Sequence, residues 1–269
     1  MNDLKAMQTL DPFETAIRDL DRGLFAKIAS QSTDNDKRSL LACQLAVREF
    51  RSSYRYLEIG SYLGGSIQPH LLDPRCRQIY SIDKRPPVQP DERGIDFVYA
   101  DNSTARMLEN LREVSADVEK ITTIDGDCRS LDPQAVDQKV DLCFIDGEHT
   151  DAAVIADFQF CLQVLDPDGA IVFHDAQITY NGIASCVKQL QEAECPFRAY
   201  ILPDIVFVIE LRNSPIHRHP AIAESLVNNH QAYLFSLQNN DEFRRFANRF
   251  PFRQLRNLRA RLRGGNISR

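Results

Sequence analysis

The chain has 269 residues, of which 43% are hydrophobic and 26% are charged, an ordinary composition for a globular protein. This length suits one large α/β domain or two small ones. No apolar run approaches the roughly 20 residues that cross a bilayer, and the first thirty residues carry charges throughout, unlike a secretion signal. We therefore expect no transmembrane segment, no secretion and a cytoplasmic location.

The seven cysteines are spaced irregularly and form no C-x-x-C pair. Their odd number and spacing argue against a disulfide framework and against a zinc ribbon. Free thiols in this number are typical of a reducing compartment. The cysteines therefore support the predicted cytoplasmic location.

Charge is distributed unevenly along the chain. Residues 244–269 hold nine arginines and no acid, whereas residues 1–243 hold 23 basic and 38 acidic residues, a net charge of −15. An acidic body does not favour duplex nucleic acid as the main partner. A solvated end is the simplest interpretation of the basic tail; an anionic membrane, another subunit of a homo-oligomer or an acidic acceptor are its alternatives.

The predicted elements begin with two amphipathic helices at 12–29 and 36–50, where apolar residues recur with helical spacing. Short apolar runs that suit buried strands then alternate with helical stretches. The strands are predicted at 54–59, 78–82, 120–124, 140–145, 170–173, 197–202 and 205–211. The helices between them are predicted at 64–72, 103–114, 150–165 and 179–193.

This alternation predicts an α/β fold with a Rossmann-like, doubly wound, mostly parallel sheet of seven strands. Only Pro203 and Asp204 separate the last two strands, so the final strand should run in reverse. We expect an extended loop at 84–101, with a short strand at Phe97–Ala100. The predicted organisation is an N-terminal helical cap (1–53), a ligand-binding domain (54–211) and a C-terminal helical extension with the basic tail (212–269).

In such sheets, ligands bind at the carboxyl ends of the strands. The first strand ends in EIGSYLGGS, where Gly60 and Gly64 open a tight turn next to the acid Glu58. Tyr62 stands where a dinucleotide fingerprint would have glycine, so the turn lacks the space that a pyrophosphate needs. Taken alone, the motif is equally consistent with a plain strand–helix turn.

The next two strands also end in acids. Asp83 lies 23 residues after Gly60, the range in which an acid binds a ribose diol. The third predicted strand is followed by Asp127 and Cys128, which suit a loop beside adenine. A simple Asp-Gly turn is the alternative for this last segment.

Ionisable groups cluster after the fourth and fifth predicted strands. Asp146, Glu148 and His149 follow one apolar run, and His174 and Asp175 follow the next. Because adjacent strands lie about 4.8 Å apart, these groups should converge. Two carboxylates and a histidine at one sheet edge can hold a divalent cation; helix caps and a core histidine are the structural alternative.

Together, EIGSYLGGS, YSIDKRP, DGDCRSL and FIDGEH…GAIVFHDA make the chain resemble the class I S-adenosylmethionine (SAM)-dependent methyltransferases over residues 54–211. More narrowly, it is similar to the group of catechol and macrocin-type O-methyltransferases. The resemblance implies that the cofactor is SAM and that it contacts Glu58, Gly60, Ser61, Tyr62, Gly64, Gly65, Ser66, Asp83, Asp127, Cys128 and Asp146.

The same resemblance implies catalytic roles for Glu148 and His149, which occupy the places of the sugar enzymes' acid and the catechol enzymes' lysine. It also implies a Mg²⁺ or other divalent cation on Asp146 and Asp175. Ala176 stands where those families have a further Asn or Asp. We expect His174 to replace that ligand; a metal-independent enzyme is the alternative.

The predicted function is SAM-dependent O-methylation of a hydroxyl on a small molecule or sugar. An NAD-dependent oxidoreductase acting on a sugar shares the pattern of strand, glycine turn and acid, but Tyr62 argues against it. A non-catalytic binding module on the same fold is the third hypothesis. Ligand binding distinguishes these hypotheses, because only the cofactor that the chain binds, SAM or NAD(H), should raise its melting temperature.

Overall fold

The computed structural model describes residues 11–227, 234, 249–255 and 258. Its strands are β1 (Tyr54–Ile59), β2 (Cys76–Asp83), β3 (Val88–Asp91), β4 (Ile95–Val98), β5 (Ile121–Asp125), β6 (Val140–Ile145), β7 (Leu165–Phe173), β8 (Phe197–Ile201) and β9 (Phe207–Leu211). Its α-helices are α1 (Pro12–Arg18), α2 (Asp34–Phe50), α3 (Gln68–Leu72), α4 (Thr104–Val114), α5 (Asp151–Val164), α6 (Tyr180–Glu192) and α7 (Pro220–Leu226).

Seven strands form one sheet in the order β5-β2-β1-β6-β7-β9-β8. The first five are parallel to one another, while β9 is antiparallel to both β7 and β8. Every residue of the central strand β6 is buried, as a strand covered on both faces requires. The predicted doubly wound sheet with a reversed last strand is confirmed.

Helices cover both faces of this sheet, and each face has its own apolar core. On one face, Phe158 and Leu190 from α5 and α6 pack with Phe173 of β7. On the other, α2 and α3 contribute Ala46 and Leu71 to a second cluster. None of the helices in these described ranges is long and apolar enough to cross a membrane.

The N-terminal segment differs from the single helix predicted at 12–29. Helix α1 ends at Arg18, the chain turns at Leu20 with φ 51°, and a short 3₁₀ helix occupies Arg22–Phe25. Residues 26–33 then form a loop rather than helix. The buried Gln68 amide holds this loop by accepting from the Ile28 N–H and donating to the Ile28 carbonyl.

The predicted extended loop at 84–101 is instead largely a β-hairpin of β3 and β4. Its turn depends on Gly94, which has φ 73°. The hairpin docks onto the segment after β6, because Asp91 forms a β-bridge with His149 and the Glu92 N–H donates to the His149 carbonyl. The Pro-rich sequence concealed this pairing, since only Phe97–Ala100 had the pattern of a strand.

The C-terminal extension begins with a short 3₁₀ turn and α7. His217 bonds to the buried Glu210 of β9, and His219 lies 2.9 Å from Glu49 of α2, so this segment packs against the N-terminal helices. Most of the predicted extension, including the basic tail at 244–269, lies outside the described residues.

Candidate active site

The turn after β1 is built around a glycine that no other residue could replace. Gly60 has φ +93°, and a Cβ atom there would lie 2.1 Å from the Asp146 carbonyl oxygen. The backbone after β1 therefore touches the backbone after β6. Gly64 also has a positive φ, and the remaining turn residues Ser61, Tyr62, Gly65 and Ser66 line a cavity beside it.

Glu58 lies beneath this turn and is fully buried. Its two carboxylate oxygens accept from the Ser66 hydroxyl at 2.7 Å and from the Tyr56 hydroxyl at 2.6 Å. Burial raises the pKa of Glu58 to about 7 despite these hydrogen bonds, since low dielectric disfavours its charged form. Glu58 thus supports the turn from below with a rigid, bonded carboxyl group.

Asp83 links the ends of β2 and β1. One of its oxygens accepts from the Tyr62 N–H at 2.9 Å, and the other accepts from the Arg85 N–H at 2.7 Å. The Asp83 side chain lines a second cavity together with Lys84, Gly126, Asp127 and Cys128. The structure thus brings the predicted ribose acid and the predicted adenine loop to one cavity.

Asp127 is already engaged by neighbouring cations. Its carboxylate accepts from the Arg129 guanidinium, and the Lys84 ammonium lies 3.5 Å away. The hydrogen bond from Arg129 holds the pKa of Asp127 well below its usual range. Asp127 is therefore an ionised, paired carboxylate at the rim of the second cavity.

The first cavity, of about 220 Å³, meets the second at Gly60. Together they form a groove along the carboxyl edge of the sheet, from β5 past β2 and β1 to β6 and β7. The N-terminal loop and the hairpin close the first cavity on its outer side. Its lining there comes from Ala29, Ser30, Gln31, Ser32, Arg93, Phe97 and Tyr99.

Two carboxylates and two imidazoles cluster in the first cavity. His149 Nε2 lies 3.0 Å from Asp175 Oδ2 and 3.9 Å from Asp146 Oδ1. His174 Nδ1 lies 3.0 Å from Asp146 Oδ1 and 3.3 Å from Asp175 Oδ2. The predicted set of Asp146, His174 and Asp175 therefore converges, and His149 joins it, which the sequence had suggested only as a catalytic role.

The cluster is strongly coupled electrostatically. Burial alone would lower the pKa of each imidazole, but the Asp175 and Asp146 carboxylates raise the pKa of His149 to about 10. The same two carboxylates raise the pKa of His174 well above its ordinary value. In return, the two imidazoles lower the pKa of Asp175 against the effect of burial. The carboxylates of the cluster thus favour the protonated, positively charged form of both imidazoles.

Glu148 lies apart from this cluster. Its carboxylate pairs with the Lys84 ammonium and accepts from the Thr150 hydroxyl, and it lines the second cavity. Although Glu148 and His149 are neighbours in the chain, their side chains serve different cavities. His149 therefore lies in the first cavity with Asp146 and Asp175, whereas Glu148 lies in the second.

Sequence reasoning missed three acids at this site: Asp36, Asp91 and Asp157. Asp36 belongs to the capping box of α2 and lies 3.5 Å from His174, and Asp91 lies 3.5 Å from His149. Asp157 lines the second cavity from the middle of α5. The T-x-x-D capping signal could have drawn attention to Asp36, but nothing in the sequence placed it beside β7.

The comparisons with known proteins agree with this geometry. The profile of a methyltransferase domain matches residues 57–176, from within β1 to just beyond the Asp175 cluster. This match covers somewhat less than half of the chain. No protein with a curated description matches the sequence.

Solved structures with the same fold cover most of this chain. An O-methyltransferase from Bacillus cereus in complex with SAH is 13% identical, with a TM-score of 0.50, and the match covers 77% of this chain and 94% of that one. Cofactor-bound Rv0187 from MTB is 15% identical, with a TM-score of 0.50, covering 75% and 89%. The chain therefore shares the α/β Rossmann-like fold of these solved methyltransferases.

Asp157 makes the stability of the protein depend on pH. Burial raises its pKa to about 7, so between about pH 4 and pH 7 the folded protein binds a proton that the unfolded chain has lost. The free energy of unfolding should therefore fall as pH rises through this window. We expect Asp157→Asn to remove that loss, a gain at pH 8 relative to pH 5 of up to about 3 kcal/mol.

Urea unfolding of the wild type and the variant at pH 5 and pH 8 measures this difference. Asp96→Asn, an exposed change on the hairpin, is the control and should leave the pH dependence unchanged. Parallel pH profiles for the wild type and Asp157→Asn would contradict the assignment.

Proposed function

We propose that the chain transfers a methyl group from SAM to a hydroxyl oxygen of a small-molecule or sugar acceptor. The observation that carries this proposal is the position of the four-residue cluster Asp146, His149, His174 and Asp175. It opens into the same cavity as the glycine turn after β1. A cofactor held by that turn would present its reactive end to the cluster.

The residues along the groove fit SAM from end to end. At the second cavity, Asp83 offers a carboxylate to a ribose diol, and Cys128 borders the space for the base. At the first cavity, the turn from Gly60 to Ser66 can approach the methionine portion closely. When bound, SAM supplies a methyl group already activated by its sulfonium.

The same geometry argues against a dinucleotide cofactor. The Tyr62 N–H is bonded to Asp83, and its ring packs against Tyr99 with centroids 5.1 Å apart. Tyr62 therefore fills the position at which a pyrophosphate would approach the turn. This supports a methyltransferase over the alternative of an NAD-dependent oxidoreductase.

The acceptor would lie in the outer part of the first cavity. Ser30, Gln31 and Ser32 provide polar groups on one side, and Phe97 and Tyr99 provide aromatic surface on the other. The first cavity has about 220 Å³ in all, so an acceptor that shares it with the methionine portion of SAM must be small. Holding its hydroxyl in line with the methyl group can supply up to about 7–11 kcal/mol in favourable cases.

Removal of the hydroxyl proton falls to the cluster. A general base contributes roughly 10²–10⁴-fold to such reactions. Because the raised pKa of His149 keeps its imidazole protonated at neutral pH, His149 would orient the ionised Asp175 carboxylate, and that carboxylate would accept the proton. The cluster also offers the predicted ligands Asp146, His174 and Asp175 to a divalent cation, which would lower the pKa of a coordinated hydroxyl. The Glu148 carboxylate is bound to Lys84 instead.

Calorimetric titration with S-adenosylhomocysteine (SAH), with NAD(H) as the control ligand, tests the proposed function. We expect SAH to bind and to stabilise the fold by about 2.7 kcal/mol at a hundredfold excess over Kd. Asp83→Asn should weaken SAH binding by about 10–100-fold, because a hydrogen bond to a charged group is lost.

Asp96→Asn on the hairpin should bind SAH as the wild type does, since its side chain is exposed. A response to NAD(H) alone, or to neither ligand, would refute the proposed function. An SAH response identical in Asp83→Asn would refute the ribose role of Asp83.

A further inference from the structure

A buried side chain, Gln68 of α3, holds the start of the N-terminal loop (residues 26–33). This side chain is 0% exposed. Its Oε1 atom accepts from the Lys27 N–H at 3.0 Å and from the Ile28 N–H at 2.9 Å, and its Nε2 atom donates to the Ile28 carbonyl at 2.9 Å. Three backbone groups at the start of the loop therefore depend on a single amide, since buried backbone groups need partners.

The same amide also bonds to the glycine turn after β1 (residues 60–66). Gln68 Nε2 donates to the Gly65 carbonyl of this turn at 2.8 Å. Next to Gly65, the Ser66 hydroxyl donates to the buried Glu58 carboxylate at 2.7 Å. Gln68 thus links a loop that lines the outer part of the first cavity with the turn that we propose to hold the methionine portion of SAM.

The loop and the glycine turn also lie in direct contact. A Cβ atom at Gly65 would lie 2.9 Å from the Ala29 carbonyl oxygen and 2.9 Å from the Ser30 Cβ atom. The two segments therefore approach each other as closely as a glycine allows. Because Ala29 and Ser30 also line the first cavity, a displacement of the glycine turn must change the position of the acceptor wall.

The far end of the loop has a separate anchor. Thr33 is the N-cap of α2. Asn35 Nδ2, in the first turn of α2, donates at 3.0 Å to Asp204 Oδ2, in the connection between β8 and β9. Between the two anchors, residues 29–32 adopt neither helix nor strand, and they line the first cavity. Gln68 therefore controls the end of this short span that meets the glycine turn.

We propose that Gln68 is a positioning residue that couples cofactor binding to the acceptor wall. SAM bound at the glycine turn fixes that turn, and Gln68 then holds residues 29–32 where the acceptor meets them. The inference rests on the proposed function and deepens it, since the cofactor then sets the shape of the acceptor wall. Coupling of this kind is reciprocal, so the bonded loop must also favour cofactor binding.

Hydrogen exchange of the Lys27 and Ile28 amides measures this coupling, because both amides donate to Gln68. Saturation of the wild-type protein with SAH should slow their exchange by about 5–150-fold. The Asn213 amide, which donates to Asp168 Oδ1 at the opposite edge of the sheet, is the internal control. It should exchange at the same rate with and without SAH.

Gln68→Met removes the amide but keeps an unbranched side chain of similar length. In this variant we expect the two loop amides to exchange faster, SAH to slow them no longer, and SAH to bind at least about 5-fold more weakly. Gln44→Met is the matched control, since Gln44 is also a buried glutamine, and its amide donates to the Pro69 carbonyl of α3 and to Asp73. Gln44→Met should retain both the SAH affinity and the slowing by SAH.

Loop amides that exchange equally fast in the free and the SAH-bound wild type would overturn the coupling, and this comparison needs no variant. Retained slowing in Gln68→Met, or an equal loss of slowing in Gln44→Met, would overturn the assignment to Gln68. Failure of SAH to bind the wild type would overturn the proposed function and this inference with it. Binding of SAH without any slowing of the loop amides would overturn this inference alone.

Discussion

Replacing Gly60 by alanine is expected to cost at least about 3 kcal/mol of folding free energy and to abolish SAH binding. The added Cβ would lie 2.1 Å from the Asp146 carbonyl oxygen and 2.5 Å from the Gly147 Cα, both of which are backbone atoms. The residue would also have to keep a φ of +93°. The junction between the ends of β1 and β6 must therefore open.

Gly147→Ala is the matched control in the same junction. A Cβ at Gly147 meets its nearest neighbour, Asp157 Oδ2, at 3.4 Å, which is ordinary contact. Urea unfolding and SAH calorimetry should show a large loss for Gly60→Ala and a small change, within about 1 kcal/mol, for Gly147→Ala. Equal effects at the two positions would show that the close approach at Gly60 is not what the site requires.

The second large effect is expected at Asp73, in the buried ion pair that anchors the cap to the sheet domain. Asp73 Oδ2 accepts from Arg48 Nε at 2.9 Å, from the Tyr54 hydroxyl at 3.1 Å and from Gln44 Nε2 at 3.2 Å. The side chains of Asp73 and Arg48 are 0% and 1% exposed. We expect Asp73→Ala to destabilise the protein by about 3–5 kcal/mol, because Arg48 loses a buried partner.

Glu109→Ala provides the comparison, since Glu109 forms an exposed pair with Arg106 and its loss should cost less than about 1 kcal/mol. Chemical unfolding of both variants gives the two values directly. A double change of Asp73→Leu with Arg48→Met should recover much of the stability lost in Asp73→Ala, because no charge is then left buried. A small effect of Asp73→Ala alone would contradict this account.

The sheet and its order of elements could be predicted because the strands are buried on both faces. Runs such as residues 140–145 are apolar at every position except Asp141, and parallel strands of this kind bring their carboxyl ends to one edge. That rule was sufficient to bring Asp146 and Asp175 together from their sequence positions. It needed no knowledge of the residues that approach from outside the sheet.

What could not be predicted depends on docking between distant segments. Asp36 reaches His174 only because α2 packs across the sheet, and Asp91 reaches His149 only because a hairpin forms in a Pro-rich stretch. Glu148 illustrates the same limit, because one step along the chain turns its carboxylate toward Lys84 and away from the cluster. Local sequence patterns specify side-chain type and spacing but not which cavity receives each group.

The N-terminal loop and the hairpin each have two roles at the site. The N-terminal loop at 26–33 and the hairpin form the wall that an acceptor would contact, and each is continuous with the carboxylate that backs one imidazole. A chimera that exchanges the hairpin to change the acceptor would also replace Asp91, and one that exchanges the loop would replace Thr33, which forms the capping box with Asp36. Swapped variants should therefore lose turnover with every acceptor unless Asp91 and Thr33 are kept in the new wall. New specificity in this scaffold is more accessible through point changes at Ser30, Gln31 and Phe97.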